Sequence, residues 1–315
     1  MTEVKFLSYN VKGLNSAVKR LKVLAELEHL RADVVFIQES HLTIDANIKL
    51  YSPVYPVWFY GDSISKRARG VAIGFTRGFG FTLEARLTDP EGRFLFLKIK
   101  FENVIYTLAN IYAPNVHPTQ YLGKILGKLN NFAEGYIILM GDLNFVFNPI
   151  EDSTFRGKAT KNEHLQRIKH KLHERQLVDV WRIFHPKEHD YTFFSPPHGT
   201  YSRIDYILAD HGLLDSITET EIGIMTVSDH APITMKIILS TQKRQRPVWR
   251  LDDSLIRDEG GARRVEAELK QFFHINETAG ISSATLWETH KAYIRGILIA
   301  EAAKKKKKGQ IKPTP

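Results

Sequence analysis

The sequence predicts an α/β protein in which two β-sheets pack face to face and helices cover the outside. Nine short apolar runs have strand character, while before residue 240 only two stretches show clear helical spacing. Many strands with few helices leave the helices to cover outer faces, and no internal repeat suggests a solenoid or propeller instead.

Along the chain, the first strand run is Val4 to Val11. An Asn15/Ser16 cap signal follows, and then Val18, Leu21, Leu24, Leu27 and Leu30 make one apolar helical stripe. Strand runs continue at Val34 to Gln38, Gly70 to Phe75, Phe94 to Phe101, Val104 to Ala113 and Tyr136 to Asn144. After Asn162, Leu165, Ile168 and Leu172 give the second helical stripe. Tyr191 to Phe194, Ile204 to Ala209 and Ile233 to Leu239 are the last strand runs. At Thr241 to Pro247, "TQKRQRP" is polar, basic and ends in proline, so a boundary is expected between residues 1–239 and 240–315. Beyond it, Val265, Leu269, Phe272 and Phe273 fit one amphipathic helix, and Leu286, Tyr293, Ile294, Ile297 and Leu298 a second, before five lysines at 304–308. Two helices make a poor core alone, so this piece is expected to lean on the body or on something that follows it. The lysine run reads as a solvated tail or as a phosphate- or import-binding segment.

Composition narrows the functional classes. With 315 residues, 43% of them hydrophobic and 25% charged, the chain suits one large soluble core with an appendage. No apolar run approaches the roughly 20 residues a bilayer span needs, and "VKFLSYNV" begins the chain without an apolar signal region, so neither membrane nor secretion is expected. The absence of cysteine excludes disulfides, thiolate ligands and thiol nucleophiles, leaving oxygen or imidazole to hold any metal. The net charge of +9 is uneven: residues 240–315 carry 16 basic against 9 acidic side chains, and residues 1–239 carry 28 against 26. A DNA-facing surface on the body would therefore be a local patch.

Polar groups accumulate where the strand runs end. In "ILMGDLNFVFNP", Asp142 and Asn144 follow a glycine and share one side of an extended strand. Asn10, Glu39, Tyr112, Asp205 and the pair Asp229–His230 close or begin other runs. Singly, each has a bland explanation, as turn residue, rim charge, cap or core imidazole. Together they allow a narrow chemistry. Glu39, Asp229 and the Asn10 amide are hard oxygen donors suited to Mg²⁺. His230 exchanges protons near neutral pH, and Asp205 would fix its tautomer. Asn144 and Tyr112 would meet the charge that builds on a phosphoryl group, so the set points to metal-assisted hydrolysis of a phosphate ester.

The ordered motifs N-V-K-G-L-N (10–15), I-Q-E-S-H-L (37–42), N-I-Y-A-P (110–114), G-D-L-N (141–144), S-R-I-D-Y-I-L (202–208) and S-D-H-A-P-I (228–233) resemble the endonuclease/exonuclease/phosphatase superfamily over residues 1–239. "QESHL", "YTFFSPPHGTYSRIDYIL" (191–208) and "WRLDDSLIRD" (249–258) are most similar to the endonuclease domain of LINE-type non-LTR retrotransposons. The resemblance implies a four-layered α/β sandwich of two mostly antiparallel sheets flanked by helices. It implies Mg²⁺, with Mn²⁺ able to substitute, on Glu39, Asn10 and Asp229, and a catalytic set of Asp142, His230, Asp205, Asn144, Tyr112, Glu39 and Asn10. The base role is left open between His230 and Asp142, and the metal count between one and two.

It further implies a nick in one DNA strand that leaves a 3′-hydroxyl for target-primed reverse transcription. The partners are then double-stranded DNA and the element RNA or a downstream reverse transcriptase, with the nucleus as the site of action after cytoplasmic synthesis. The hairpin-like "FFSPPHGTYS" would enter the minor groove, with Thr192, Ser202, Ile204 and Ser228 as DNA contacts and Arg156 and Lys12 on phosphates. Lys12 stands where apurinic endonucleases place an acidic residue, which argues against abasic-site repair. The alternatives are a phosphodiesterase or phosphatase acting on a small or lipid substrate, and a catalytically inactive DNA-binding module. The pairs His170/His173 and His185/His189 have metal-like spacing without an obvious carboxylate partner.

Overall fold

The computed structural model describes residues 2–42, 48–61, 69–155, 163–239, 259–276 and 282–310. In chain order its elements are β1 (Thr2–Asn10), α1 (Ala17–Leu30), β2 (Val34–Gln38), β3 (Val57–Gly61), β4 (Val71–Phe75), β5 (Thr82–Thr88), β6 (Phe94–Phe101) and β7 (Val104–Tyr112). There follow α2 (Pro118–Phe132), β8 (Tyr136–Asp142), α3 (Glu163–Glu174), β9 (Leu177–Asp179) and α4 (Val180–Phe184). The body ends with β10 (Phe193–Ser195), β11 (Thr200–Ser202), β12 (Asp205–Asp210), a 3₁₀ turn (His211–Ser216), β13 (Ile217–Ile222) and β14 (Ile233–Leu239). Helices α5 (Glu259–Asn276) and α6 (Ser283–Gln310) complete the chain.

Two six-stranded sheets carry the body, ordered β13-β14-β1-β2-β4-β3 and β5-β6-β7-β8-β12-β9, with β10-β11 as a separate hairpin. Each sheet holds one parallel pair, β1/β2 in the first and β7/β8 in the second, and every other pairing is antiparallel. In each case a helix, α1 or α2, makes the crossover that a parallel pair requires. Alternation along the strands then builds the layers. Val4 and Phe6 of β1 and Val34 and Phe36 of β2 meet Leu95, Leu97, Leu108, Ile138 and Met140 between the sheets. Leu7, Tyr9, Val35 and Ile37 face outward onto Val23, Leu24 and Leu27 of α1. On the other side, Phe94, Phe96, Ala109 and Leu139 lie under Leu122, Ile125 and Leu129 of α2 and Ile168 and Leu172 of α3. The result is the expected four-layered sandwich of two mostly antiparallel sheets.

Four sheet strands that periodicity did not show, β3, β5, β9 and β13, are the four sheet edges. Edge strands bury less side chain: β5 is exposed or half-buried along its whole length, so its sequence need not alternate. Helix α2 was hidden by Gly123 and Gly127, which dilute an apolar stripe that is nonetheless buried at Leu122, Ile125, Leu126 and Leu129. Helix α1 is rotated from the expected stripe: Val18 and Leu21 are 63% and 69% exposed, and Val23, Leu24 and Leu27 are buried. Strand β8 stops at Asp142, two residues short of the expected end, because Asn144 turns into the left-handed region at φ 53°.

The chain divides into two compact units, Met1–Lys243 and Arg244–Pro315. In the second, α5 and α6 pack through Phe272, stacked on Tyr293 at 5.0 Å, and through Phe273 against His290. The segments "TQKRQRP" and "WRLDDSLIRD", and the expected clamp Arg156, lie outside the described residues.

Candidate active site

The inner faces of the central strands change character along their length. Val4 and Phe6 of β1 are followed on the same face by Ser8 and Asn10, and Ile138 and Met140 of β8 by Asp142; β12 begins that face with Asp205 before Ile207. The apolar core between the sheets thus ends in a buried polar layer. Its floor is Gln38 and Asn110: Gln38 Nε2 donates to Asn110 Oδ1 at 2.7 Å, while Asn110 Nδ2 donates to the carbonyls of Ile37 and Ala72. A satisfied floor of this kind holds the groups above it in one arrangement. Sequence reading missed both residues, since a lone amide in a strand run carries no distinguishing pattern.

Above the floor, Asn10 joins the two sheets. Its Nδ2 donates to Glu39 Oε1 at 3.0 Å and to Asp142 Oδ2 at 2.9 Å, and its Oδ1 accepts the Lys12 N–H at 3.1 Å. Burial alone would raise Glu39, but hydrogen bonds from His41, Asn10 and Tyr112 outweigh it and hold the carboxyl down at about 2. Burial and then the Glu39 charge push the Tyr112 phenol up, so Tyr112 keeps its proton as a donor. His41, 3.3 Å from Glu39 Oε2, belongs to the "QESHL" motif without a strand pattern that aims it at the site; only the backbone brings it back, through left-handed φ at both Glu39 (51°) and His41 (56°). Gly13 makes that loop possible, because a β-carbon there would stand 2.6 Å from His41 Nδ1. Lys12, Glu39, His41 and Asn144 all hold positive φ around one cleft, a concentration of backbone strain typical of functional sites.

On the second sheet Asp142 Oδ1 accepts from the Asn144 N–H at 2.9 Å, and Asn144 Nδ2 donates to the Ala113 carbonyl at 2.7 Å. Asn144 therefore orients Asp142 from a turn instead of projecting beside it from a strand. Gly141, at φ 144°, has room for no side chain: a β-carbon would sit 2.0 Å from the Ile111 carbonyl. Asp205, paired across the sheet with Asp142, accepts from His230 Nδ1 at 2.8 Å. This leaves His230 Nε2 toward Asp142, 3.9 Å from Oδ2. Burial lowers the His230 imidazole, but Asp205 first, with Asp142 and Asp229, raises it to about 9. Burial and then the Asp205 charge raise Asp142.

The expected DNA contacts are placed differently from one another. Thr192 is fully buried rather than at a DNA-accessible surface, and its Oγ1 accepts the N–H groups of Ile204 and Asp205, both at 3.1 Å. Its carbonyl accepts from Ala231 at 2.7 Å, so Thr192 ties Asp205 to the His230 loop. Ile204 is also buried, and its carbonyl accepts from Leu143. Ser202 and Ser228 are half-buried, and Lys12 is exposed, its Nζ 2.7 Å from Asp229 Oδ2. Beneath the hairpin, Arg203, buried to 1%, binds both Asp152 and Asp179, a network that sequence reading did not single out. His170 and His185 have carboxylate partners after all, Glu174 at 3.3 Å and Glu188 at 3.0 Å, but neither pair gathers a metal cluster among the described residues. A cavity of about 600 Å³ lined by Phe147, Leu172, Leu177, Arg182 and Arg203 contains none of the catalytic groups named above.

Two donor sets could hold a cation. Among the described residues, Asp142, Asp205 and His230 each offer an atom within 4.8 Å of the others. Glu39 with Asn10 is the better match to a hard ion: the carboxylate is ionised and about one-fifth exposed, whereas His230 spends one nitrogen on Asp205 and is held protonated.

Comparison with known proteins agrees with this geometry. Residues 7–230 match the endonuclease/exonuclease/phosphatase family. The chain is 23% identical over 263 residues to an uncharacterized 149 kDa protein of transposon TX1 from Xenopus laevis, covering 81% of this chain and 20% of that one. The chain thus spans about a fifth of the length of that relative. An exodeoxyribonuclease of Bacillus subtilis strain 168 is 26% identical over 74% of this chain and 99% of its own. Among solved structures, an AP endonuclease from Leishmania major superposes with a TM-score of 0.62 at 20% identity, over 76% of this chain and 88% of that one, a likeness of fold. With the match spanning most of the chain and the buried Asp–Asp–His group at its centre, the chain belongs to the endonuclease/exonuclease/phosphatase family.

Proposed function

We propose that the chain is a DNA endonuclease dependent on Mg²⁺, with Mn²⁺ able to substitute, that nicks one strand of duplex DNA. The observation that carries the chemistry is the Asp205–His230 pair facing Asp142 beside the ionised Glu39. Asp142 takes the proton of the attacking water, since it is the proton-accepting group and His230 is already a cation. The water oxygen bonds to phosphorus as the bond to the 3′ oxygen breaks, and the departing 3′ oxygen takes a proton from solvent water, leaving a 3′-hydroxyl and a 5′-phosphate. The His230 imidazolium and the Tyr112 phenol donate to phosphoryl oxygens as charge builds there. Glu39 and Asn10 would hold the divalent ion, which supplies Lewis-acid stabilisation of the leaving oxygen.

The biological setting rests on the transposon relative and on the LINE-type motifs. In that reading the 3′-hydroxyl primes reverse transcription of the element RNA, the partners are target DNA and a reverse transcriptase, and the work is done in the nucleus. The β10–β11 hairpin is joined to the catalytic loop, Phe194 N–H donating to the Asp229 carbonyl and the Phe193 ring lying tilted against His230 at 4.8 Å, so a duplex gripped by the hairpin would be registered on the site. Supercoiled plasmid incubated with Mg²⁺, with Mn²⁺ and with EDTA tests the reading. Metal-dependent nicks that are lost in His230→Ala are expected; DNA binding without cutting would turn the protein into an inactive module.

A further inference from the structure

We propose that the Lys12 ammonium is a built-in cation on Asp229, so that a divalent ion enters the cleft at Glu39 and Asn10 and Asp229 is not a ligand to it. The inference rests on the metal-dependent reading above and departs from the expectation that Asp229 completes the ligand set.

Both oxygens of Asp229 are already engaged. Lys12 Nζ lies 2.7 Å from Oδ2, and the Ser228 hydroxyl donates to Oδ1 at 3.4 Å. The lysine is held in place from its backbone. Its φ of 48° is a conformation that residues with a β-carbon adopt only when their surroundings enforce it. The surroundings are specific: the Lys12 N–H donates to Asn10 Oδ1, and the Lys12 carbonyl accepts Lys19 Nζ at 2.8 Å. One turn of backbone therefore does two things. It fixes the Asn10 amide so that Nδ2 points to Glu39 and Asp142, and it delivers an ammonium to Asp229.

The two acidic groups at the mouth of the cleft consequently differ. Glu39 accepts from the Asn10 amide at 3.0 Å and lies 3.3 Å from the His41 ring, with no lysine or arginine paired to it among the described residues. Asp229 is contacted by a full positive charge, with the Lys19 ammonium behind it, and a second cation approaching that carboxylate meets repulsion at contact distance.

Mn²⁺ titration of the full 315-residue chain, followed by the free-ion electron paramagnetic resonance signal, tests this without reference to cutting. Wild type is expected to bind one ion. Glu39→Gln should weaken binding by at least about tenfold, while Asp229→Asn should stay within about threefold of wild type. Lys12→Met should free Asp229, either tightening binding by about tenfold or adding a second ion, and adding Asp229→Asn to it should cancel the gain. Thermal melts in EDTA report that each variant is folded, and Lys12→Gln is the substitute should Lys12→Met fail to fold. An Asp229→Asn loss as deep as that of Glu39→Gln, or a Lys12→Met protein indistinguishable from wild type, would overturn the proposal. Absence of Mn²⁺ binding by wild type and Lys12→Met alike would remove the metal reading and this one with it.

Discussion

At the scale of single residues the cleft is governed by who neighbours whom. Burial would strip His230 of its proton, and the Asp205 carboxylate 2.8 Å away reverses the outcome, to about 9. In metal-free protein the imidazole should therefore titrate near pH 9 by NMR, and Asp205→Asn should lower it, because burial is then opposed only by Asp142 and Asp229. The sign for stability follows. A raised histidine contributes stability that is fully present below pH 6.5 and lost as pH rises through about 9, at most about 3 kcal/mol. Denaturation midpoints in EDTA should accordingly fall between pH 6.5 and 9 for wild type and flatten in His230→Gln. Thr192→Val belongs at this scale too. Removing an acceptor shared by two buried N–H groups should cost about 1–3 kcal/mol and lower kcat by loosening Asp205, measured by denaturation and by plasmid nicking. Asn10, Glu39, Asp142, Asp205 and His230 were legible because each stands where an apolar run gives out. His41 was not, and Thr192 was expected at DNA instead of holding Asp205, since the contacts that define them are backbone geometry and hydrogen bonds across 12 or 13 positions of sequence.

At the scale of elements, legibility followed burial. Central strands such as β6 and β14 have the bounds their apolar runs suggest, whereas the edges β3, β5, β9 and β13 are set by pairing with a neighbour, which a local pattern does not record. Helix α2 was concealed by its glycines, and that concealment has a thermodynamic counterpart. Gly127 is exposed, helical, and has nothing within 4 Å of where a β-carbon would go, so Gly127→Ala should stabilise the protein by roughly 0.5–1 kcal/mol in chemical denaturation. Gly141 gives the opposite result. Its β-carbon would collide with the Ile111 carbonyl, forcing β7 and β8 apart directly under Asp142, so Gly141→Ala should destabilise by more than about 2 kcal/mol and abolish nicking together.

At the scale of the whole molecule, the body and the Arg244–Pro315 unit are separate compact pieces with unlike charge, nearly balanced in the first and basic in the second. Truncation after Lys243 should leave the thermal transition of the body in place, because its three apolar clusters lie within it, and should weaken DNA affinity with a shallower dependence on salt. An unchanged salt slope would take the second unit away from DNA. Within the body, the two sheets repeat one plan: a central parallel pair bridged by a helix, two antiparallel strands on either side, and a polar residue closing the inner face of β1 and of β8. Neither half owns the reaction. Asn10 and Glu39 come with one, Asp142 and Asp205 with the other, and the 2.9 Å bond from Asn10 to Asp142 is the seam. Any partly unfolded form that lets the halves slide, even with both sheets intact, has no site at all, so catalytic activity serves as a gauge of sheet-to-sheet registry that no spectroscopic measure of strand content provides.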